Sequence, residues 1–196
     1  MLLLYPLFTY LYSNIAQWGM LRLMQIQISS VEEISTVTKP EANALVIVQK
    51  VPKVPTEFSE AILEIPTLNL TTVVLKGTSQ DVLAKAPGWY EESVLPGQGN
   101  TAIAGHLNTY GSWFRNLNKL KPGEEIILKL DDQSYLYQVE KVYPVQSTDW
   151  SIVEPCGYSA LTLSTCIAND RSRRLIVRAR QITINSPSET RISRSS

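Results

Sequence analysis

From Ala61 to Ile184 the chain breaks into short apolar or β-branched runs separated by turn-forming residues. Ala61–Pro66 and Leu70–Leu75 read as strands, the second ending at Lys76-Gly77. Asn100–Gly105 is a strand of small residues, and Ala160–Cys166 and Leu175–Ile184 are two more. Glu125–Leu130 and Ser134–Val142 form a hairpin around Asp131-Asp132-Gln133. Gln80–Lys85 fits one or two helical turns, Trp113–Leu120 a short helix, and Lys121-Pro122-Gly123-Glu124 a tight turn. Many short strands with little helix predict an all-β fold, a closed or nearly closed barrel. No internal repeat interrupts this pattern.

The two ends read differently. Residues 1–21 carry no charged side chain, the first being Arg22. Leu2-Leu3-Leu4, Leu7-Phe8 and Leu11 make this stretch apolar, and Tyr5, Tyr10, Tyr12 and Trp18 are aromatics that favour a membrane interface. Its length approaches the ~20 residues a helix needs to span a bilayer, diluted by Thr9, Ser13, Asn14 and Gln17. Residues 1–24 are therefore an uncleaved membrane-anchor candidate, with an amphipathic helix packed on the domain as the other reading. Residues 25–57, with Ser29-Ser30, Glu32-Glu33 and Thr38-Lys39-Pro40-Glu41, form a polar spacer. The globular domain is expected over 58–184, and 185–196 is a polar tail.

Composition narrows the function. The 196 residues balance 18 basic against 18 acidic side chains, which argues against nucleic acid as a partner. Two cysteines, Cys156 and Cys166, make no disulfide framework. One histidine and no CxxC pair leave little with which to build a metal site, and no cofactor is expected. Asp149 and Glu154 alone do not make a calcium site.

Strand alternation places Leu161, Leu163 and Thr165 on one face and Thr162, Ser164 and Cys166 on the other. The leucine face belongs in the core, so Cys166 ends the strand on the outer, polar face, where a substrate can reach it. A thiol beside basic residues can become a reactive thiolate; the alternative is a free cysteine filling core space. Cys156, between Pro155 and Gly157, lies in a loop and carries no signal. A thiol nucleophile needs an imidazole for proton exchange, and His106, after Gly105 at a strand end, is the only histidine. A cation would stabilise the oxyanion of a tetrahedral intermediate. Arg171, Arg173, Arg174 and Arg178 compete for that role. Arg174 and Arg178 share the face assigned to Cys166, and Arg174, at the start of its strand, is nearer the thiol.

These blocks carry a resemblance. Thr162-Leu163-Ser164-Thr165-Cys166, followed by Arg174-Leu175-Ile176-Val177, is similar to the Thr-Leu-any-Thr-Cys and arginine signature of sortases. Asn100–His106 resembles the sortase segment that ends in the catalytic histidine. Pro87–Tyr90, Leu95-Pro96-Gly97 and the run from Phe114 through Glu124 add to the likeness, over roughly Leu63 to Arg180. The resemblance, closest to class D and E-type sortases, implies a closed eight-stranded barrel with short helices, preceded by an N-terminal apolar helix. It implies a cysteine transpeptidase that cleaves a Leu-Pro-any-Thr-Gly-like sorting signal on surface proteins. The acyl group would pass to an amine, on a peptidoglycan precursor or a pilin lysine, outside a bacterial membrane. It further implies catalytic roles for Cys166, His106 and Arg174, and a substrate-binding role for Thr165. The basic loop Ile167–Arg173 lacks the proline-containing start common after the cysteine in several classes. A thiol hydrolase of the same fold, or a peptide-binding barrel without catalysis, are the competing functions.

Overall fold

Period-two burial sets the architecture. In β1 (Glu60–Ile65) Ala61, Leu63 and Ile65 are buried; in β5 (Glu125–Leu130) Ile126, Leu128 and Leu130 are. Strands with one apolar face must turn it toward a common interior. In the computed structural model, which describes residues 11–22, 57, 58 and 60–182, they do so by closing into a barrel. The other strands are β2 (Leu70–Lys76), β3 (Gly88–Trp89), β4 (Asn100–Ala104), β6 (Gln133–Gln146), β7 (Ala160–Ile167) and β8 (Asp170–Gln181). Their order around the barrel is β1-β2-β3-β4-β7-β8-β6-β5, with β5 pairing back onto β1. Two pairs are parallel, β2 with β3 and β4 with β7; the rest are antiparallel. Leu63, Ile103, Leu128, Tyr137, Leu161, Leu163 and Val177 fill the interior, and Phe114, Leu117 and Leu120 join that core from the β4–β5 connection.

Three elements differ from the sequence expectation. Trp113–Leu120 holds one 3-10 turn, Leu117–Lys119, where a longer helix was expected. The left-handed residues Tyr110, Gly111 and Ser112 precede this segment and Pro122 follows it, leaving room for a single turn. β6 continues past Val142 to Gln146 with a bulge at Glu140. β8 begins at Asp170, so Arg174 is inside the strand and not at its start. Residues 170–173 read as a loop because their side chains are polar and charged, yet their backbone continues the strand.

Residues 11–22 form a helix, α1, whose polarity is inverted relative to a helix packed by its apolar face. Ser13 and Gln17, four residues apart, are buried against the barrel. Leu11, Tyr12, Ile15 and Trp18 face outward, Ile15 with 66% and Trp18 with 78% of its surface exposed. The cause is an incomplete strand edge. β2 carries amides at Val73, Leu75 and Gly77 toward β3, but β3 is two residues long. Leu75 and Gly77 donate to Pro87 O and Trp89 O, while Val73 lies beyond the end of β3. Gln17 takes the vacant register: its Oε1 accepts from Val73 N at 2.8 Å, and its Nε2 donates to Lys85 O at 3.2 Å and Val73 O at 3.5 Å. A buried backbone amide without such a partner is costly. Among the described residues no helix is long and apolar enough to cross a membrane. Residues 1–10 and 23–24 of the anchor candidate, the 25–57 spacer up to residue 56 and the 185–196 tail lie outside the described residues.

Gln17→Ala is expected to lower stability by about 1–3 kcal/mol, the cost of leaving a buried donor unmade. Urea unfolding checks this; an unchanged midpoint would mean that the Val73 amide does not depend on α1.

Candidate active site

β4 and β7 run parallel, Asn100 beside Ala160 through Ala104 beside Ser164. Gly105 N extends the ladder by donating to Ser164 O at 3.0 Å. Thr165 Oγ1 donates to Gly105 O at 2.8 Å and joins the strands one step further. Continuing this register brings the backbone of His106 alongside that of Cys166, adjacent parallel strands lying about 4.8 Å apart. Gly105 is required at this point: a Cβ there would meet the ring of buried Phe114 at 2.5 Å. Thr165 itself is buried, its hydroxyl committed to the Gly105 carbonyl.

The outer face of β7 is not open along its length as its polar residues suggested. Thr162 and Ser164 are both buried, and Cys166 is the first residue of that face to be partly exposed. Loops cover the rest. Asn100 Nδ2 donates to Ile152 O and Glu154 O, at 2.8 and 2.9 Å, from the β6–β7 connection, and Thr162 Oγ1 donates to Asn100 Oδ1 at 2.6 Å.

Across the β7–β8 hairpin, Cys166 is paired directly with Arg174, and the next pair is Ile167 with Asp170. Residues 171–173 therefore bulge away from β7, while Arg173 stays in register with Gln146 of β6 and Ser172 O accepts from Ser147 N. The bulge separates the arginines. Arg174 Nη1 donates to Cys166 Sγ at 3.2 Å. Arg171 and Arg173 are exposed, and Arg173 Nε is tied to Asp170 Oδ2 at 2.6 Å. The Ser172 hydroxyl, then Arg173, hold the Asp170 carboxyl down at about 2. Arg178 lies on the same face as Arg174 but four pairs further along the ladder, opposite Thr162, where it is buried.

His106 is partly buried, its ring centroid 5.4 Å from that of Tyr110. Burial lowers its pKa below the usual histidine value, so the neutral imidazole is favoured near pH 7. A neutral imidazole can take a proton from a thiol and return it to a leaving amine.

Two residues that carried no site expectation also stand here. Tyr90 continues β3 by donating its amide to Ala102 O, and its hydroxyl bonds the Ser164 side chain. Burial raises its pKa, while the Ser164 bond and the charge of nearby Arg174 oppose that rise. Trp150, half exposed on the β6–β7 connection, meets the Tyr90 ring edge-on at 6.3 Å. Tyr90 lay in the Pro87–Tyr90 block that carried part of the likeness, and Trp150, beside Asp149, showed only its aromatic character. Cys156 is a free thiol in the same connection, its Sγ near Tyr158 O, and Cys166 is also free. Among the described residues no group of His, Cys, Asp and Glu is arranged to hold a metal.

A closed barrel whose parallel β4–β7 pair delivers a histidine and a cysteine to one rim, with an arginine on the sulfur, falls in the class of sortase-type barrels. Residues 63–182 match the family model described as "Sortase domain", and the chain belongs to the sortase family. It is 33% identical over 117 residues to Sortase A of Bacillus anthracis, covering 59% of this chain and 56% of that one. It is 29% identical over 131 residues to Sortase D of Bacillus subtilis, covering 64% and 65%. Sortase SrtE1 of Streptomyces coelicolor is 33% identical over 135 residues, covering 60% of this chain and 38% of that one. The matches thus span only part of each relative's length. Among solved structures, sortase E of Streptomyces avermitilis superposes with a TM-score of 0.57 at 36% identity, covering 63% of this chain and 87% of that one. The Clostridium perfringens Sortase D5 transpeptidase gives 0.59 at 29%, covering 64% and 79%. Class D and E sortases are thus among the relatives, beside sortases named A.

The depressed pKa of His106 fixes a sign for stability. The unfolded chain binds the proton more tightly, so the stability present above pH ~6.5 is lost as pH falls toward the folded pKa. Relative to His106→Gln, the wild-type melting temperature should therefore drop between pH 7 and 5. Parallel profiles for the two proteins would mean that the imidazole is not held in its neutral form.

Proposed function

We propose that the chain is a cysteine transpeptidase that cleaves an LPXTG-like sorting signal and transfers the acyl group to an amine at the bacterial cell surface. The observation that carries this is the Arg174 guanidinium donating to the Cys166 sulfur at 3.2 Å, at the rim where β4 ends in His106. The Cys166 proton passes to His106, and Sγ bonds to the carbonyl carbon of the threonine in the signal. The carbonyl oxygen becomes an oxyanion beside Arg174, which donates to it through a planar fork that a lysine lacks. The carbon–nitrogen bond to glycine breaks, and the leaving amine takes the proton from His106. The acceptor amine then loses a proton to His106, attacks the thioester carbon and expels Cys166. Thr165 supports this sequence by holding the Gly105–His106 end of β4 against β7. Tyr90, which bonds Ser164 two residues before the thiol, and Trp150 against it would bound the approach of the peptide. One solved relative, Sortase E1 of Streptomyces coelicolor, carries a tripeptide in its active site, which fits a peptide as the substrate class.

Mass spectrometry with a sorting peptide and no amine should trap an acyl-enzyme in the wild type and in Cys156→Ala, and none in Cys166→Ala. Arg174→Ala should slow transpeptidation about 100- to 1,000-fold, Arg174→Lys should recover part, and Arg171→Ala and Arg173→Ala should stay near wild type. Equal loss in the two cysteine variants, or Arg174→Ala at wild-type rate, would overturn the assignment.

The surface location has its own support. The outward face of α1 is apolar and aromatic, and residues 1–21 are uncharged. Such a face suits the bilayer interface, with surface proteins bearing a sorting signal and the acceptor amine meeting the enzyme there. The full chain should float with anionic phospholipid vesicles, and a chain beginning at Val54 should no longer float while keeping its activity, at a lower melting temperature because Val73 N has lost Gln17. A full chain that stays with the soluble fraction would sink the anchor.

A further inference from the structure

Two loops beside the β4–β7 pair both hang from β4. The loop after β3 is held by Ser93, whose Oγ accepts from Ala102 N at 3.0 Å and donates to Tyr90 O at 2.7 Å. Thr101 Oγ1 adds a bond to Val94 O at 2.9 Å. The loop over 147–159 is held by Asn100, the first residue of β4, which is 1% exposed. Both Nδ2 hydrogens are used, on Ile152 O and Glu154 O, and Oδ1 accepts from Thr162, itself buried. These three partners fix the orientation of the amide: turned over, its oxygen would face two carbonyl oxygens. Aspartate has the same shape but no donor for either carbonyl. Leucine fills the space and bonds nothing.

The two carbonyls lie at the C-terminal end of a 3-10 turn, Trp150–Ile152, whose start is capped by Asp149. That turn presents Trp150, which is 59% exposed and lies edge-on against Tyr90. Tyr90 in turn bonds Ser164, two residues before Cys166, and feels the charge of Arg174. A continuous set of contacts therefore runs from Asn100 through the turn and the aromatic pair to the reacting end of β7. Asn100 itself lies at the opposite end of β4 from His106.

We propose that Asn100 is a positioning residue for substrate binding. Its side-chain amide pins the 147–159 loop to the β4–β7 pair and so sets the Trp150–Tyr90 wall against which the peptide lies beside Cys166. This rests on the transpeptidase reading for the identity of the peptide, but not for the pinning itself. Losing the pin lowers the fraction of molecules with the wall in place, and the apparent affinity falls by that fraction. The chemistry at Cys166, set by Arg174 and His106, is untouched once peptide is bound.

The experiment uses the full chain with Asn100→Asp, Thr162→Val and Thr162→Ser. Hydrogen exchange reads the amides of Val153 and Glu154, which donate within the turn to Trp150 O and Ser151 O. Steady-state kinetics with a sorting peptide and an amine give KM and kcat, and iodoacetamide gives the alkylation rate of Cys166. Asn100→Asp should speed exchange in the turn and raise KM by about tenfold or more, the scale of two lost hydrogen bonds. Thr162→Val should do the same more weakly, and Thr162→Ser should match wild type. The kcat and alkylation rate should stay within about twofold, since the reacting groups are unmoved. A merely structural role would instead lower kcat with the folded fraction and leave KM alone, which would overturn the proposal. So would unchanged exchange in the turn of Asn100→Asp and Thr162→Val, whether or not peptide is turned over. A wild type that turns over no sorting peptide would sink the transpeptidase reading, and faster exchange in the variants would then still establish the pin.

Discussion

The site depends on one constraint: β4 and β7 are neighbours that run in the same direction. Antiparallel neighbours would send their C-terminal ends to opposite rims. Parallel ones bring Gly105-His106 and Thr165-Cys166 to the same rim, and the bonds from Gly105 N and Thr165 Oγ1 keep them in step past the last regular pair. A parallel pair cannot be joined by a tight turn; it needs a crossover of a dozen or more residues. The β5–β6 hairpin fills that crossover and closes the far side of the barrel. β8 then returns antiparallel to β7, so its early residues reach the same rim, and the bulge over 171–173 carries Arg174 opposite Cys166. Two strands ending and one strand starting at a single edge account for the thiol, the imidazole and the guanidinium.

Parallel strands inside a fold are usually covered on both faces, and β4 follows that rule with every residue buried. Its small side chains reflect the lack of space: Ile103 faces the barrel core, while Ala102 and Ala104 fall on the opposite side beneath the loops. Polar groups on that covered side must then find partners. Asn100 and Thr162 find them in each other and in the loop backbone, and the cover is thereby tied to the strands it shields.

Much of this was legible in the chain, for local reasons. Leu161 and Leu163 alternate with Thr162 and Ser164, which located the core face and put Cys166 on the other. The same alternation placed Arg174 and Arg178 on the face of Cys166. The illegible parts come from distant partners. Nothing in Thr162 or Ser164 announces burial, because the cover comes from distant chain: Ile152 and Glu154, whose carbonyls meet an asparagine 52 and 54 residues away beside Thr162, and Tyr90, which bonds Ser164. The start of β8 was hidden because the bulged Arg171, Ser172 and Arg173 carry no inward side chain. In α1, hydropathy pointed to Leu11, Ile15 and Trp18 as the face to hide, whereas the residue that meets the barrel is Gln17. A glutamine is chosen there by a backbone amide on β2, which no pattern within the helix can reveal.

That glutamine has a consequence for how the molecule behaves in company. A strand edge with free amides and carbonyls is a template onto which another chain can add. β3 shields only the end of β2, and the next position, at Val73, is closed by a side chain from a helix separated from it by more than fifty residues of sequence. α1 thus acts as a removable plug in the sheet. While it is seated, the barrel has no vacant rung beside β3; once it lifts, a short extended segment of a neighbouring molecule can take the place of Gln17. Closure of the β2 edge is in this sense shared between the barrel and its N-terminal helix.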